Sequence, residues 1–582
     1  LGSFPKKSPL NAKVTGKLDG SSYRVEKVLF ESLPNHHVTA LLYLPANGDG
    51  PWPGVLFACG HSANGKAYPP YQTACALLAQ NGFVVLSYDP ISQGERTQLP
   101  KAARYGTTTH TLLNHGARLT GRSVVWYSAW DGIRSIDYLL SRPEVDRSKP
   151  VGMTGTSGGG TQTTFLMALD DRIGPAAPSC YTMQRTDKFH GKSGPADGCQ
   201  HLAGEGLYGI DHIDYSLMRF PRPTAILAAT QDFFEIDSTR ETVRDAKAVF
   251  GALGQADRFA FFEADTTHGM HVGHRQEATR WMRQWLYNDS SPVTEPKDIL
   301  LFTDAELQVT RTGQVHNDFP DEANVADISL RLANRLETKR RHFWASNPAK
   351  ALAKVRKLIG LPKNLPQPRV ERGGQAQTNW ARIDKFTLQR TGDMPVPALL
   401  FRPPGNTSHA LDVVVYADDR GMRSAAHANG PIRKLVNEST AVFAVDLRGL
   451  GETRDQGSNA KYHSHSHRVG NVATHIGQPL LGQRVRDLLS VVDYLNEVGS
   501  ERVRSIRVVG VGAAGPVALH AAVLDARISQ VELRNPTVNS WVDDVVAQPL
   551  RREMVDHVVP GALAWYDLPD LARQLGARLR TR

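Results

Sequence analysis

The sequence predicts an α/β fold built twice, as two domains of one type, each a mostly parallel sheet flanked by helices. Three observations predict it. Short apolar runs alternate with amphipathic ones over residues 38–290, a charged stretch with a Pro-rich break follows at 300–368, and the first pattern then returns. With 582 residues the chain is too long for a single core.

In order, the strand candidates of the first domain are HVTALLYL, PGVLFAC, FVVLSYD, PVGMTG, GPAAPS, TAILAAT and RFAFFEA. They are short and almost wholly apolar, as strands covered on both faces must be. Between them lie helical runs such as YQTACALLAQNG, VVWYSAWDGIRSIDYLLSR and STRETVRDAKAVFGALG. Residues 300–360 are charged and helix-prone, and LPKNLPQP at 361–368 ends them, which predicts a helical connector. Beyond it, VPALLFRPPGNTSHALDVVVYAD repeats VTALLYLPANGDGPWPGVLFACG, and LVNESTAVFAVDLRGLGETRDQ repeats LLAQNGFVVLSYDPISQGERTQ. Asp89 and Asp446, Gly94 and Gly451, and Ser157 and Ala514 each stand 357 positions apart, the mark of a duplicated domain. The expected domains are 1–295, a connector at 296–370, and a second copy at 371–582.

Composition narrows the class. Hydrophobic residues make up 41% and charged residues 22%, ordinary for a packed globular chain. No run of eighteen apolar residues occurs, so no membrane span is expected. The start, LGSFPKKSPLNAK, has neither Met nor an apolar signal core, which fits a trimmed, secreted or periplasmic protein. The net charge is +10, but basic residues are scattered apart from KRRH at 339–342 and a terminal RLRTR. That scatter argues against a nucleic-acid face and fits an anionic polysaccharide as partner, or no partner at all. Cys180 and Cys199 bracket one irregular stretch and could be paired or free; no CxxC occurs. Nothing indicates the oligomeric state.

Ser157 stands in Gly155-Thr156-Ser157-Gly158-Gly159, after the strand PVGMTG and before the helix TQTTFLMALD. This strand–turn–helix placement predicts a nucleophile elbow, and with it an α/β-hydrolase-type domain. A serine needs a base, and the base needs an orienting carboxylate; in this fold they follow in the order Ser, acid, His. Asp232, immediately past TAILAAT, is the expected acid, with Glu235 and Asp237 as alternatives and Asp237 expected to cap a helix. His268, past RFAFFEA and followed by Gly269, is the expected base, with His271 in reserve. The backbone N–H of Gly158 and the backbone of His61, after PGVLFAC, are the expected oxyanion donors. His268, His271 and His274 are spaced by three, but Gly269 and Gly273 disfavour the helix a metal site would need, and His463, His465 and His467 suit a solvated loop. No metal and no cofactor are therefore expected. Ala514 at the second elbow, together with a chain end before the strands for acid and base, predicts a degenerate, non-catalytic copy.

These residues resemble the acetyl xylan esterases of carbohydrate esterase family seven and their bacterial relatives. The matching pieces are GHSANGK, YDPISQGERTQ, GTSGGG around Ser157, DFFEIDST with Asp232, and TTHGM at His268, and they span most of residues 25–290. The resemblance implies deacetylation of sugar esters without a metal, through Ser157, Asp232 and His268, with His61 at the oxyanion. The family's HGY loop reads CGH here, and the tandem copy lies outside the basic family pattern. Glucuronoyl methyl esterases, which place an Arg after the nucleophile where Gly158 stands, are the runner-up. Prolyl-oligopeptidase-type peptidases and a non-catalytic carbohydrate binder complete the alternatives. Residues 179–222, with Tyr181, Phe189, His190, Tyr208, His212 and Tyr215, are expected to form a sugar-binding cap.

Overall fold

Nine strands of the first sheet appear in the computed structural model, which describes residues 1–102, 106–191, 198–405, 410–455, 466–498 and 502–582. They are β1 (Lys13–Asp19), β2 (Tyr23–Leu33), β3 (His36–Pro45), β4 (Gly54–Ala58), β5 (Val84–Tyr88), β6 (Val151–Thr156), β7 (Ile173–Ser179), β8 (Thr224–Gln231) and β9 (Phe259–Thr267). Their order is β1-β2-β3-β5-β4-β6-β7-β8-β9. The first three strands run antiparallel, and β5 through β9 run parallel to one another. This is the α/β-hydrolase arrangement, with the strand order reversing between β5 and β6. At such a reversal the loops past the carboxyl ends of the strands diverge and leave a crevice.

The central strands are buried along their whole length because helices cover both faces. On one side Pro69–Gln80 and Val272–Leu286 bury Ala74, Leu78, Trp281 and Met282 with Val55, Phe57 and Val85 of the sheet. Helices Val124–Ser141 and Gly158–Leu169 also meet closely; a Cβ placed on Gly132 would come within 2.2 Å of Leu166.

Asp89, at the end of β5, shows what the QGER stretch is for. Its carboxylate accepts from Lys66 N–H at 2.8 Å, Lys66 Nζ at 2.6 Å and Thr39 Oγ1 at 2.6 Å. Gly94 must lack a side chain, since a Cβ there would sit 2.2 Å from Asp89 Oδ1, at φ +55°. Arg96, fully buried, donates to Asp89 O and to Asp131, which also accepts from Ser32. The network fixes the loop after β4, which carries His61.

The chain divides into one unit of residues 1–114 and 123–328 and another of residues 115–122 and 329–582. The boundary thus falls at 328/329, and the stretch expected as a separate connector is shared between the units. Its first half belongs to the first unit: Phe302 N–H donates to Gln72, Val309 and Thr310 N–H donate to Glu95, and Phe319 stacks on His37. Its second half, in helices Val325–Ser346 and Pro348–Leu358, puts Ala333, Trp344, Ala351 and Val355 into the second core. Buried Arg340 pairs with Asp570 at 2.9 Å.

The second unit holds β10 (Arg369–Gln377), β11 (Arg382–Gln389), β12 (Val396–Arg402), β13 (Leu411–Asp418), β14 (Thr440–Val445), β15 (Val503–Val511), β16 (Ile528–Arg534) and β17 (Leu579–Thr581), in the order β10-β11-β12-β14-β13-β15-β16-β17. This reproduces the first eight strands of the first sheet. The short β17 stands where β8 stands in the first copy, so one of the two strands expected beyond the chain end is present. Asp446 repeats the role of Asp89, accepting from Met422 and Glu452 N–H around Gly451.

Candidate active site

Ser157, Asp232 and His268 each lie just past the carboxyl end of a parallel strand. Ser157 is the first residue past β6, held at φ 58° and ψ −119°, a conformation a non-glycine residue keeps only when its surroundings impose it. The surroundings do so through glycine. A Cβ on Gly155 would lie 2.3 Å from Ala58 O, and one on Gly159 would lie 1.9 Å from the same oxygen. The strand and the helix Gly158–Leu169 therefore close on each other only with glycines on both sides of the serine. Ser157 N–H donates to Ser179 O at 3.0 Å and its carbonyl accepts from Thr161 N–H at 2.9 Å.

Asp232 follows β8 and His268 follows β9. His268 Nδ1 lies 2.8 Å from Asp232 Oδ1 and 2.9 Å from Oδ2. The carboxylate is 2% exposed and the imidazole 24%, so the acid is shielded while the ring still reaches the surface. Asp232 Oδ1 also accepts from Phe234 N–H, and the Phe233 ring lies 4.3 Å from that of His268. A carboxylate so placed fixes the Nδ1–H tautomer and turns the lone pair to Nε2.

The alternatives to these residues face elsewhere. Glu235 is exposed at the N-cap of helix Ile236–Ala252, and Asp237 lies inside the first turn, paired with Arg240 at 2.9 Å, rather than capping it. His271 is the N-cap residue of Val272–Leu286, and His274 Nε2 donates to Ala228 O, its pKa held down by burial. Among the described residues, His268, His271 and His274 do not converge as a metal group. His467 is buried beside Asn471, whereas His463 and His465 lie outside the described residues.

His61 lies against the elbow. A Cβ on Gly158 would come within 2.8 Å of His61 Cε1 and 3.0 Å of Nδ1, and one on Gly60 within 3.3 Å of Ser157 Cβ. Any side chain at position 158 would collide with the imidazole.

All four cysteines are buried and outside any disulfide, so Cys180 and Cys199 form no bridge. Cys180, at φ 51°, has its Sγ within 4.8 Å of the Asp232 and His268 ligand atoms. Burial, and then the Asp232 charge, push its thiol up to about 11. Motif reading gave no signal for this thiol, or for Phe233, which is 42% exposed beside His268. The cap aromatics divide: Tyr181, Phe189, His212 and Tyr215 are buried, while His190 is exposed and Tyr208 is 79% exposed.

The second unit corrects the position of its own elbow. Gly512, not Ala514, is the first residue past its strand, with φ +58° matching Ser157. Gly510 meets Ala514 as Gly155 meets Gly159. Gly60 follows Cys59 in the first unit, and Asp419 holds the corresponding place after β13. Its carboxylate accepts from Ala513 N–H at 2.9 Å.

No family model matches the chain. The hydrolase YtaP of Bacillus subtilis (strain 168), itself assigned only provisionally, is 22% identical over 297 residues, 49% of this chain and 96% of YtaP. Among solved structures, the methylesterase BT1017 is 18% identical with a TM-score of 0.46, covering 57% of this chain and 71% of its own. The acetyl xylan esterase from Paenibacillus sp. R4 is 20% identical with a TM-score of 0.36, covering 48% and 90%. A glucuronoyl esterase from Solibacter usitatus is 15% identical with a TM-score of 0.37, covering 49% and 88%. At these identities and overlaps, no activity carries across to this chain. No helix among the described residues is long and apolar enough to cross a membrane.

Proposed function

We propose that the first unit is a serine carboxylic-ester hydrolase that deacylates a carbohydrate, and that the second unit is catalytically silent. One observation carries the reading: Asp232 grips His268 Nδ1 at the ends of β8 and β9, while Ser157 is held at positive φ at the end of β6. Ser157 Oγ attacks the ester carbonyl as His268 Nε2 takes its proton, and Asp232 stabilises the imidazolium. The oxyanion accepts from Gly158 N–H and from a donor of His61. Collapse expels the sugar alcohol, which takes the proton back from His268. Water, deprotonated by the same imidazole, then frees the acid from Ser157.

An acyl ester on a sugar suits the site better than a methyl uronate. Packing of His61 against Gly158 leaves no room for an arginine directly after the nucleophile. The exposed face of Phe233 offers an apolar platform beside the base, of the kind a sugar ring stacks on. In the second unit Gly512 has no nucleophile to offer, and Asp419 already holds the N–H that would receive an oxyanion. The reading is tested by hydrolysis of acetylated xylan, acetylated monosaccharides, methyl glucuronates and octanoyl esters. Acetyl esters of sugars should be cleaved fastest. Equal rates on acetyl and octanoyl esters, with no acetylated glycan cleaved, would remove the carbohydrate from it.

A further inference from the structure

We propose that His61, His110 and Cys199 form a binding site for one soft divalent cation of the zinc class, beside the nucleophile elbow and sharing His61 with the proposed oxyanion site. Their ligand atoms all lie within 4.8 Å of one another, and two of the three residues are buried. Cys199 Sγ is 3.4 Å from His61 Nε2. Tetrahedral zinc, with bonds of about 2.3 Å to sulfur and about 2.05 Å to nitrogen, needs an S–N edge of about 3.5 Å. The sulfur and nitrogen are thus already at ligand spacing.

The hydrogen bonds prepare the donors. His110 Nε2 lies 2.6 Å from Ile91 O, and a carbonyl can only accept, so the N–H is on Nε2 and the lone pair on Nδ1. A backbone carbonyl behind a histidine is the usual support of a metal-ligating imidazole. Cys199 Sγ and His61 Nε2 face each other at 3.4 Å, so both atoms point into the site and share a proton between them. Binding exchanges one proton for the cation. The Cys199 thiol releases H⁺ to solvent, and the thiolate and two neutral imidazoles bind. Three protein ligands leave a fourth position for water or an anion.

A second group, Cys180, Asp232 and His268, has similar spacing but different preparation. There both Asp232 oxygens are taken up by His268 Nδ1, so a cation would have to break the pair it replaces.

The test is titration of the metal-free Ser157→Ala protein with Zn²⁺ by calorimetry and with Co²⁺ by absorption, so that the result is independent of catalysis. One equivalent should bind, with release of about one proton and a thiolate-to-cobalt charge-transfer band. Cys199→Ser should abolish the band and weaken binding at least about 100-fold, His110→Ala should weaken it at least about 10-fold, and Cys180→Ser should change neither. Saturating Zn²⁺ should raise the Tm of the parent but not of Cys199→Ser. Absence of a stoichiometric site in the folded parent, a band that survives Cys199→Ser, or one lost in Cys180→Ser would each overturn the proposal.

Discussion

The carboxylate of Asp419 accepts a hydrogen bond from Ala513 N–H at 2.9 Å, so an aspartate of the second unit sits on the backbone group that corresponds to Gly158 N–H in the first. A built-in anion there competes with any oxyanion. Gly512→Ser, introduced into a Ser157→Ala background, should therefore restore no aryl acetate hydrolysis. Measurable recovery of serine-dependent turnover would show that the second site is only one residue short of activity.

Within the first unit, Ser157→Ala should lower kcat on an aryl acetate by at least about 10³-fold with unchanged circular dichroism, because the covalent route is lost. His268→Ala should be about as harmful and His271→Ala far less so. The Ser157/His268 double variant should be little worse than either single one, since the residues act as a unit. Additive losses would separate the two residues. Asp232→Asn should cost up to about 10⁴-fold, as its amide no longer acts purely as an acceptor for Nδ1–H.

The candidate site was readable as a spacing, because Ser157, Asp232 and His268 each follow a recognisably apolar strand, which the structure shows as β6, β8 and β9. All seven strand candidates of residues 38–290 are strands of the sheet. β2 was not legible, because Glu26 and Lys27 interrupt its apolar run; buried Glu26 is paired with Arg142 at 2.8 Å. The boundary at 328/329 was hidden for a related reason. Phe302, Val309 and Phe319 anchor scattered turns to the first unit, where charge composition suggested a helical connector. The elbow of the second copy was misplaced because the segment from Gly451 to Gly512 is two residues shorter than that from Gly94 to Ser157. A constant offset cannot register such a deletion. His61 packed on Gly158, and Phe233 on His268, are tertiary contacts without a local signature.

Low pH should destabilise the second unit through His520. Its ring is fully buried between Pro516 O, 2.6 Å from Nδ1, and Tyr566 Oη, 3.1 Å from Nε2, and burial lowers its pKa to about 4. The folded chain thus stays neutral here where the unfolded chain, near 6.5, takes a proton. The stability this supplies is full above about pH 6.5 and is lost as pH falls toward 4, by about 3 kcal/mol in all. Urea unfolding at pH 7 and pH 4.5 should show a steeper loss for the parent than for His520→Gln. Equal pH dependence would remove His520 as the cause.

Gly158→Ala should test the packing at the elbow. The added methyl would lie 2.8 Å from His61 Cε1, closer than carbon atoms tolerate, so the imidazole must move. Because the serine, base and acid are untouched, kcat should fall by roughly 10–10³-fold, the range for loss of an oxyanion donor, with little change in KM. An unchanged kcat would place the second donor elsewhere than on His61.

The last expectation separates the sugar from the ester. Phe233 is 42% exposed and its ring stands 4.3 Å from that of His268, so a glycan entering toward the base meets it face or edge first. If a sugar ring stacks there, Phe233→Ala removes binding that an aryl acetate does not use. KM for an acetylated xylo-oligosaccharide should then rise about 5- to 10-fold, equivalent to about 1 kcal/mol of aromatic stacking, with kcat nearly constant. The same substitution should leave KM for a small aryl acetate within about twofold. A different pattern, with kcat falling equally on both substrates, would mean that Phe233 serves only to hold the His268 ring. In that case Phe233→Leu, which keeps the apolar bulk against the imidazole but offers no ring, should restore kcat on both. The pair of variants thus distinguishes a sugar platform from a support for the base.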